Sequence, residues 1–418
     1  MQFIKTPVKG MPEQLPEDMA TREYVMRLIK DAYRAYGFDL IETPIMEHIE
    51  NLTNKSGGEN EQLIFKILKR GEKLAEAATP DQMCDSGLRY DLTVPLARFY
   101  ANNMDKLPNP FKAFQMGPSF RADRPQKGRF RQFTQCDIDI LGDASNLAEI
   151  ELITATSEML NRLDLGAFTV RVNDRRLLKE LALSSGLPAD KLDTVFIILD
   201  KMDKIGVDGV RDTLLQEGFD PVAVEKYTAL YAGLDQTFTS AAAFLSARGL
   251  TPNDPDIVPN LDTIIQTASA LMGEKGRIIF DPTLVRGMGY YTGPIFEVSL
   301  ERFQSSVAGG GRYDKMIGNY LGKPVPACGF SIGLERILAV LKDAGFRAPE
   351  SQENTAILID KRLDDSRILE ALKQARSLRE SGVRVLVARR NANAKFQKEQ
   401  LARAGYTRFI EVFKDVYQ

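Results

Sequence analysis

Residues 111–142 read FKAFQMGPSFRADRPQKGRFRQFTQCDIDILG, and this stretch decides the fold that the sequence predicts. Its two ends, residues 111–116 and 133–141, alternate enough to predict two antiparallel strands. Pro125 and Gly128 in the intervening loop suit irregular backbone. Eleven residues of this loop hold one acid and five basic side chains, namely Arg121, Arg124, Lys127, Arg129 and Arg131. We therefore predict a hairpin whose loop binds anions.

Two further stretches place an arginine in a setting that favours ligand binding. Residues 284–297, LVRGMGYYTGPIFE, put Arg286 and two adjacent tyrosines between glycines just before a strand-like run. Residues 328–341, CGFSIGLERILAVL, put Arg336 on a helix that follows a glycine-bounded turn. A single loop arginine is most often a solvated surface residue. Three guanidinium groups on separate segments instead indicate a ligand with phosphate or carboxylate oxygens, which a guanidinium binds bidentately.

Hydrophobic periodicity predicts a mixed α and β body. Helices are expected at residues 16–37, 145–164 and 332–344, and strands at residues 38–46, 277–281, 295–300 and 325–331. Between residues 173 and 274 the periodicity is helical, with polar breaks and no strand-rich stretch, which predicts a helical insertion. Pro44 interrupts the first strand and favours an edge or interface position, because proline cannot donate to a strand ladder.

The last part of the chain predicts a separate small domain after a polar linker at residues 346–353. Strands at 355–360, 383–388 and 407–412 alternate with helices near 364–381 and 394–404. This β-α-β-α-β order predicts a small parallel sheet. Residues 354–418 carry fourteen Lys and Arg against eight Asp and Glu, a net charge of +6, whereas the whole chain has a net charge of −2.

Composition excludes several classes of protein. With 418 residues and 44% hydrophobic content, the chain can fill the cores of two or three domains. No apolar run approaches the roughly 20 residues that cross a bilayer, and the N-terminus lacks a signal-peptide pattern, so we expect a cytoplasmic protein without a membrane partner. Cys84, Cys136 and Cys328 are widely spaced and His48 is the sole histidine. A metal site built from histidine or cysteine is therefore not expected.

These segments together resemble the signature segments of the histidyl-tRNA synthetase family, which belongs to the class II aminoacyl-tRNA synthetases. The resemblance implies an α+β catalytic domain over residues 1–345, with an antiparallel sheet of six or seven strands flanked by helices and a helical insertion at about residues 174–274. It implies that residues 354–418 form a short α/β domain of the anticodon-binding type, ending after a third strand where relatives usually continue. The helix, strand and Pro44 near the N-terminus resemble the family's dimer-interface motif, which implies a homodimer.

The resemblance also implies a reaction. An aminoacyl-tRNA synthetase of this kind is a ligase that activates L-histidine with ATP and Mg²⁺ to histidyl-adenylate, and then transfers it to the 3′ end of tRNA(His). By this likeness Arg286 and Arg121 are the catalytic residues, and Arg121, Arg129 and Arg336 bind ATP. Losing Arg286 should cost on the order of 3 kcal/mol of transition-state stabilisation or more. Arg124 and Gln126 would reach the acceptor end of the tRNA.

The histidine pocket follows from the same resemblance. Its expected members are Asp91, Thr93, Gln135, Asp139, Tyr290, Tyr291 and Arg286. In the stretch AGGGRYD, at residues 308–314, Arg312 and Tyr313 would support the pocket. The chain departs from many relatives at several positions: Asp91 and Asp139 replace glutamate, Thr134 replaces histidine and Gly289 replaces aspartate.

Other functions stay open at this point. A catalytically silent paralogue that serves as the regulatory subunit of ATP phosphoribosyltransferase shares the core, but it typically loses the catalytic arginine and lacks the anticodon domain. The remaining alternatives are an enzyme that transfers its adenylate elsewhere and a nonenzymatic RNA-binding module. The retained Arg286, the tyrosine pair and the basic terminal domain favour the synthetase.

Overall fold

The computed structural model describes residues 3–53, 60–233, 240–287, 289–301, 303–349 and 353–413. The strands are β1 (Asp39–Ile41), β2 (Met46–His48), β3 (Lys66–Leu68), β4 (Cys84–Leu88), β5 (Phe111–Phe120), β6 (Gln132–Leu141), β7 (Phe168–Asp174), β8 (Gly276–Phe280), β9 (Pro294–Leu300), β10 (Phe303–Arg312), β11 (Ala327–Gly333), β12 (Thr355–Ile359), β13 (Val385–Arg389) and β14 (Arg408–Val412).

The α-helices are α1 (Pro16–Ala35), α2 (Ile49–Thr53), α3 (Glu72–Ala75), α4 (Thr93–Asn103), α5 (Leu147–Leu163), α6 (Arg175–Ser184), α7 (Leu192–Leu199), α8 (Met202–Gln216), α9 (Pro221–Ala229), α10 (Ala241–Ala247), α11 (Ile257–Leu271), α12 (Lys315–Leu321), α13 (Leu334–Asp343), α14 (Asp365–Glu380) and α15 (Ala394–Arg403). Short 3-10 turns connect several of them. No helix in the described ranges is long and apolar enough to cross a membrane.

An eight-stranded sheet, ordered β1-β5-β6-β11-β10-β9-β7-β8, forms the centre of the mixed α and β body. Its six central strands pair antiparallel, as predicted. The expected count of six or seven was too low, because β1 and β8 add a parallel strand at each edge. Parallel neighbours need long crossover connections. The helical insertion supplies this crossover between β7 and β8.

The predicted strand at residues 38–46 is divided in the structure. β1 belongs to the large sheet, whereas β2 pairs with β4 in a separate sheet ordered β2-β4-β3. Arg89 stabilises the break between them by donating hydrogen bonds of 2.7 Å to the Thr43 carbonyl and 2.8 Å to the Pro118 carbonyl. Pro44 therefore marks the point where the chain leaves one sheet for another.

The strand β10 contains the glycines of the AGGGRYD stretch, which the sequence analysis did not assign to a strand. A Cβ on Gly310 would lie 2.0 Å from the Gly329 carbonyl oxygen of β11 and 2.8 Å from the Phe296 ring. Side chains are excluded here because neighbouring groups occupy their space. The glycines thus permit close strand packing instead of forming a turn.

The core of this body lies between the sheet and its helices. Helix α5 packs against β6 and β11, and α11 packs against α5. Its fully buried side chains include Leu152, Ile153 and Met159. Residues 175–233 and 240–275, which follow β7, contain helices and no strand, as the periodicity predicted.

The chain forms two compact units. One comprises Met1–Glu13 and Val25–Gly345, and the other comprises Gln14–Tyr24 and Phe346–Gln418. The second unit contains the three-stranded sheet β13-β12-β14, whose strands are all parallel, as predicted. Ile357, Ala375 and Val385 contribute to its small hydrophobic core.

Candidate active site

A cavity of about 700 Å³ lies on the large sheet. The residues predicted to bind ATP or histidine all line it: Asp91, Thr93, Arg121, Arg129, Gln135, Asp139, Arg286, Tyr290, Tyr291 and Arg336. They come from segments that are distant in the sequence. The convergence expected from the three arginine-bearing stretches is present in the structure.

Local structure explains how these side chains meet. Strand β6 places Gln135, Asp137 and Asp139 on one face, because alternate residues of a strand point the same way. Arg121 follows the end of β5, and Arg336 lies in the first turn of α13, the helix that leaves β11. β5, β6 and β11 are direct neighbours, so the ends of these strands gather the groups around one opening.

The guanidinium groups of four lining residues lie close enough to interact, namely those of Arg121, Arg129, Arg286 and Arg336. Arg121 donates a 2.9 Å hydrogen bond to the Tyr90 carbonyl and lies over the Phe133 ring at 5.2 Å. Arg336 donates to the carbonyl and to the hydroxyl of Ser306.

The pKa of Arg336 reflects the other positive charges that lie near it. It is lowered, first by burial and then by the nearby guanidinium groups of Arg129, Arg286 and Arg121. Like charges held together in this way are stabilised when an anion binds among them. This cluster of arginines is therefore suited to binding a polyphosphate.

Arg286 is held by an acidic partner that was not predicted. Its Nη1 donates a 2.6 Å hydrogen bond to Oε2 of Glu297 on β9. Burial lowers the pKa of Arg286, but Glu297 and the hydroxyls of Tyr291 and Tyr290 outweigh burial and raise the pKa overall. Glu297 is the one charged residue in the apolar strand PIFEVSL, which is the signal that could have revealed it.

A glycine makes room for this arginine. A Cβ added to Gly309 would lie 2.4 Å from Nη1 of Arg286 and 2.5 Å from its central guanidinium carbon. The guanidinium therefore packs directly on the bare backbone of β10. This contact accounts for the first glycine of the AGGGRYD stretch in terms of the site.

Buried hydrogen-bond acceptors mark a second part of the cavity. The Oδ1 atom of Asp91 accepts a 3.0 Å hydrogen bond from the Val94 amide at the start of α4, whereas Oδ2 is buried without a partner among the described residues. The Oε1 atom of Gln135 is buried and unpaired in the same sense. Burial is the main cause that raises the pKa of Asp91. Such acceptors favour a ligand that brings hydrogen-bond donors or positive charge.

Asp139 lies among aromatic side chains. The Tyr313 hydroxyl donates a 2.5 Å hydrogen bond to Oδ1 of Asp139, and the other oxygen, Oδ2, is buried without a partner in the described part of the chain. The Tyr290 ring lies 4.8 Å from that of Tyr291 and 5.9 Å from that of Tyr313. Burial raises the pKa of Asp139 to about 7, against the opposing hydrogen bond from Tyr313. Gly329 makes room for the carboxylate, since its Cβ would lie 2.0 Å from Oδ1.

Comparison with known proteins agrees with this geometry. Residues 10–337 match the family described as Histidyl-tRNA synthetase. A protein named Histidine--tRNA ligase from Leifsonia xyli subsp. xyli is 42% identical over 98% of this chain and 96% of its own length. The chain belongs to the histidyl-tRNA synthetase family. Its large antiparallel sheet is consistent with a class II aminoacyl-tRNA synthetase.

Solved structures show the same fold. The histidyl-tRNA synthetase from Nostoc sp. PCC 7120 has a TM-score of 0.76 and 27% identity, and the match covers 97% of this chain and 90% of that one. A protein from Bacillus halodurans C, titled an ATP phosphoribosyltransferase regulatory subunit/histidyl-tRNA synthetase, has a TM-score of 0.79 over the full length of both chains. At 22% identity that second likeness concerns the fold alone.

Other carboxylates in this family member's cavity were not predicted. Asp137 lies on β6 between Gln135 and Asp139, and Gln135 Nε2 contacts its carboxylate at 3.2 Å and the Ser331 hydroxyl at 2.9 Å. Burial, and then the charge of Asp139, raise the pKa of Asp137 well above its usual range. Asp200, at the end of α7, also lines the cavity. The alternation of Asp137 with Asp139 was the signal for the first, whereas no local pattern marks Asp200.

Arg312 was expected to support the pocket together with Tyr313. It is outside the cavity lining and forms a buried ion pair with Glu149, with Nε–Oε1 at 2.6 Å and Nη2–Oε2 at 2.7 Å. It also donates to the carbonyls of Asp143 and Ser145. The next residue, Tyr313, lines the cavity. Arg312 thus anchors α5 to the sheet and does not touch the pocket.

The residues expected to meet tRNA lie on the loop between β5 and β6. Arg124 and Gln126 are exposed and are not part of the cavity wall. The backbones of Gln126 and Arg129 exchange hydrogen bonds of 3.0 and 2.9 Å, which makes the loop tip a tight turn. Lys127 forms an exposed ion pair of 2.7 Å with Asp343 on α13.

Proposed function

We propose that this protein is a histidine–tRNA ligase, which activates L-histidine with ATP and transfers the histidyl group to the 3′ end of tRNA(His). The observation that carries the proposal is one cavity lined both by four arginines and by buried, unpaired acceptors. The first set matches a nucleoside triphosphate. The second matches an ammonium group and an imidazole.

The arginines provide the chemistry of the first step. Arg121 and Arg286 hold the α-phosphate of ATP, and Arg129 and Arg336 hold the distal phosphates. The histidine carboxylate attacks the α-phosphorus in line, and the bond to pyrophosphate breaks. No protein nucleophile is needed, because the step depends on positioning and on cations that meet the charge developing on the phosphoryl oxygens.

The acceptors select the amino acid. The Asp91 carboxylate, with Thr93 and Gln135, receives the α-ammonium group. Asp139 receives an imidazole N–H at the oxygen that Tyr313 leaves free, beside the Tyr290 and Tyr291 rings. A pocket that leaves buried acceptors unpaired discriminates strongly against side chains that cannot donate to them.

Magnesium fits the donor set of this site. A magnesium ion usually takes one or two carboxylates together with substrate phosphates. Asp200 and Glu335 line the cavity that holds the arginines, and either would supply one such carboxylate. When bound with ATP, the ion would neutralise phosphate charge.

The tRNA contacts are assigned by position and charge. Arg124 and Gln126 are exposed on the loop beside the cavity and are suited to the acceptor end, with arginine on phosphate and glutamine on a base edge. We assign residues 1–345 to the catalytic domain and residues 354–418, after a linker at 346–353, to an anticodon-binding-like domain. Residues 14–24 belong to the same compact unit as the latter. The positive charge of that last domain supports this assignment.

We also propose a cytoplasmic homodimer. Leu40 on the edge strand β1 is 59% exposed, and Ile45 and Met46 beyond the break are 41% and 52% exposed. Exposed apolar groups on a sheet edge are suited to pairing with a second copy.

Exchange of labelled pyrophosphate into ATP tests the activity. The purified protein should catalyse exchange that depends on histidine, and it should then charge purified tRNA(His). A regulatory paralogue would show no exchange. Exchange without charging would point to an enzyme that transfers its adenylate to another acceptor.

A further inference from the structure

Arg171, on β7, contacts three carboxylates from three different segments while lying outside the cavity lining. Its Nη2 is 3.8 Å from Oε1 of Glu297, its Nε is 3.0 Å from Oδ2 of Asp281, and its Nη1 donates a 3.1 Å hydrogen bond to Asp203. Its side chain is 22% exposed. Two of these partners, Glu297 and Asp281, are also connected to Arg286, the first by a hydrogen bond and the second through the backbone.

The first connection passes through Glu297. Arg171 and Glu297 are paired across β7 and β9, so strand register fixes their proximity. The other oxygen of the Glu297 carboxylate accepts the 2.6 Å hydrogen bond from Arg286. One carboxylate therefore lies between two guanidinium groups, hydrogen-bonded to Arg286 and ion-paired at 3.8 Å with Arg171.

The second connection passes through the backbone. The Oδ1 atom of Asp281 accepts hydrogen bonds from the Thr283 amide at 2.9 Å and the Thr283 hydroxyl at 2.7 Å. The Leu284 amide donates to the Asp281 carbonyl at 3.1 Å. This turn leads directly to Arg286. Asn173, also on β7, donates a 3.1 Å hydrogen bond to the Leu284 carbonyl.

We propose that Arg171 is a positioning residue for adenylate formation, which fixes Arg286 both through its acidic partner Glu297 and through the Asp281 turn that carries it. This role rests on the proposed function. Asp203 belongs to α8 of the helical insertion, so the insertion contributes the third carboxylate that holds the Arg171 guanidinium in place.

The charges around Arg171 support a specific arrangement. Burial lowers its pKa, but Asp281, Glu297 and Asp203 outweigh burial and raise the pKa overall. Removing the guanidinium would leave Glu297 and Asp281 near each other without their shared cation. Glu297 would then be free to turn with Arg286, and the reacting groups would lose their alignment.

The experiment compares Arg171→Gln with the wild-type chain in histidine-dependent pyrophosphate exchange. We expect kcat to fall on the order of 100-fold, because a displacement of about 1 Å in a catalytic group has an effect of that size. The KM values for histidine and ATP should change less than about threefold, since a positioning role affects the transition state more than ground-state binding. A purely structural role would lower the amount of folded enzyme without this split.

Arg277→Gln is the matched control. Arg277 is an exposed arginine on β8, paired with β7, that donates a 2.7 Å hydrogen bond to Thr169. Its substitution should leave kcat and both KM values unchanged. An Arg171→Gln enzyme that behaves like this control would overturn the inference.

A double-mutant cycle tests the connection itself. If Arg171 acts through Arg286, Arg171→Gln should have no further effect on kcat in an Arg286→Gln background. Multiplicative losses would overturn the inference. If Arg171→Gln does not fold, Arg171→Lys takes its place, because lysine keeps the positive charge but lacks the planar guanidinium group. We expect its kcat to fall about tenfold. A wild-type kcat in this variant would contradict the inference. A wild-type chain without exchange activity would overturn the proposed function, and this inference with it.

Discussion

The Tyr313 hydroxyl and the Asp139 carboxylate form a 2.5 Å hydrogen bond that uses only one of the two carboxylate oxygens. The second oxygen is buried and has no partner among the described residues. Because burial raises the pKa of Asp139 to about 7, the group changes charge near neutral pH. In the proposed enzyme this group faces the imidazole, which titrates in the same range.

We predict a pH-dependent stability difference between the wild-type chain and Asp139→Asn. The unfolded pKa of aspartate is about 3.9, so the folded state holds the Asp139 proton more tightly. The folded state gains stability because it binds this proton more tightly than the unfolded state does. That contribution is fully present below about pH 4 and is lost as the pH rises through about 7. The free energy of unfolding of the wild type should therefore decline relative to that of Asp139→Asn across this window.

Urea denaturation of both ligand-free proteins from about pH 5 to pH 8.5 measures the difference, which should grow by a few kcal/mol, at roughly 1.4 kcal/mol per unit of pKa shift. Asp139→Asn also removes the charge that raises the pKa of Asp137, and this change acts in the same direction, since it spares the variant part of the loss of stability at higher pH. A constant gap over the whole range would show that Asp139 does not titrate there.

Tyr291→Phe should weaken the use of histidine more than the binding of ATP. Tyr291 is buried next to Tyr290 at the wall of the cavity that Asp139 also lines, and its hydroxyl is the part that the substitution removes. One lost hydrogen bond of this kind corresponds to roughly a tenfold rise in the KM for histidine. Tyr100→Phe is the control, since Tyr100 is buried against Phe111 outside the cavity. Equal losses for both substrates would contradict a place beside the imidazole.

Gly309→Ala should reduce kcat without unfolding the protein. The new Cβ would lie 2.4 Å from Nη1 of Arg286, and the end of a flexible side chain can move where backbone cannot. We expect a loss on the order of 100-fold in pyrophosphate exchange, because Arg286 would leave its position. The same substitution in an Arg286→Gln background should add little. A large fall in melting temperature would mean that the strand, and not the arginine, gives way.

Arg312→Ala should destabilise the fold and leave the KM values unchanged in the protein that remains folded. Glu149 is fully buried, and its carboxylate is held by the Arg312 guanidinium through two hydrogen bonds. Removing one partner of a buried pair costs about 3–5 kcal/mol. Arg376→Ala breaks the exposed pair with Glu380 and should have no measurable effect on denaturation. A rise in the KM for histidine in Arg312→Ala would show that Arg312 contributes to histidine binding.

The parts of this protein that are local in sequence could be predicted from it. The hairpin around Arg121, the helix α5 and the parallel terminal sheet each follow from periodicity within a few turns or strands. The position of Asp139 followed from a family resemblance, and the structure places it in the cavity. These elements share a signal that is visible within a short window of residues.

The missed features depend on partners far away in the sequence. Strand β10 was not predicted because glycine is a poor strand former, and only the nearness of Phe296 and Gly329 explains why Gly310 is needed. The pairing of Arg286 with Glu297 requires β9 to lie beside the loop after β8. Arg171 gains its importance from the register of β7 with β9. The hydrophobic periodicity of the sequence does not show which distant strands pair, or in which register.

Bare main chain at Gly309 and Gly329 limits how this enzyme could change its amino-acid specificity. Any side chain at Gly329 would collide with Asp139, and any at Gly309 would collide with Arg286. Gradual change at these two glycines is therefore blocked, because the first added carbon displaces Arg286 or Asp139, the groups proposed to bind the substrates. New specificities would have to arise through the walls, at Tyr290 and Tyr291, where a ring can be exchanged while the strands stay in place.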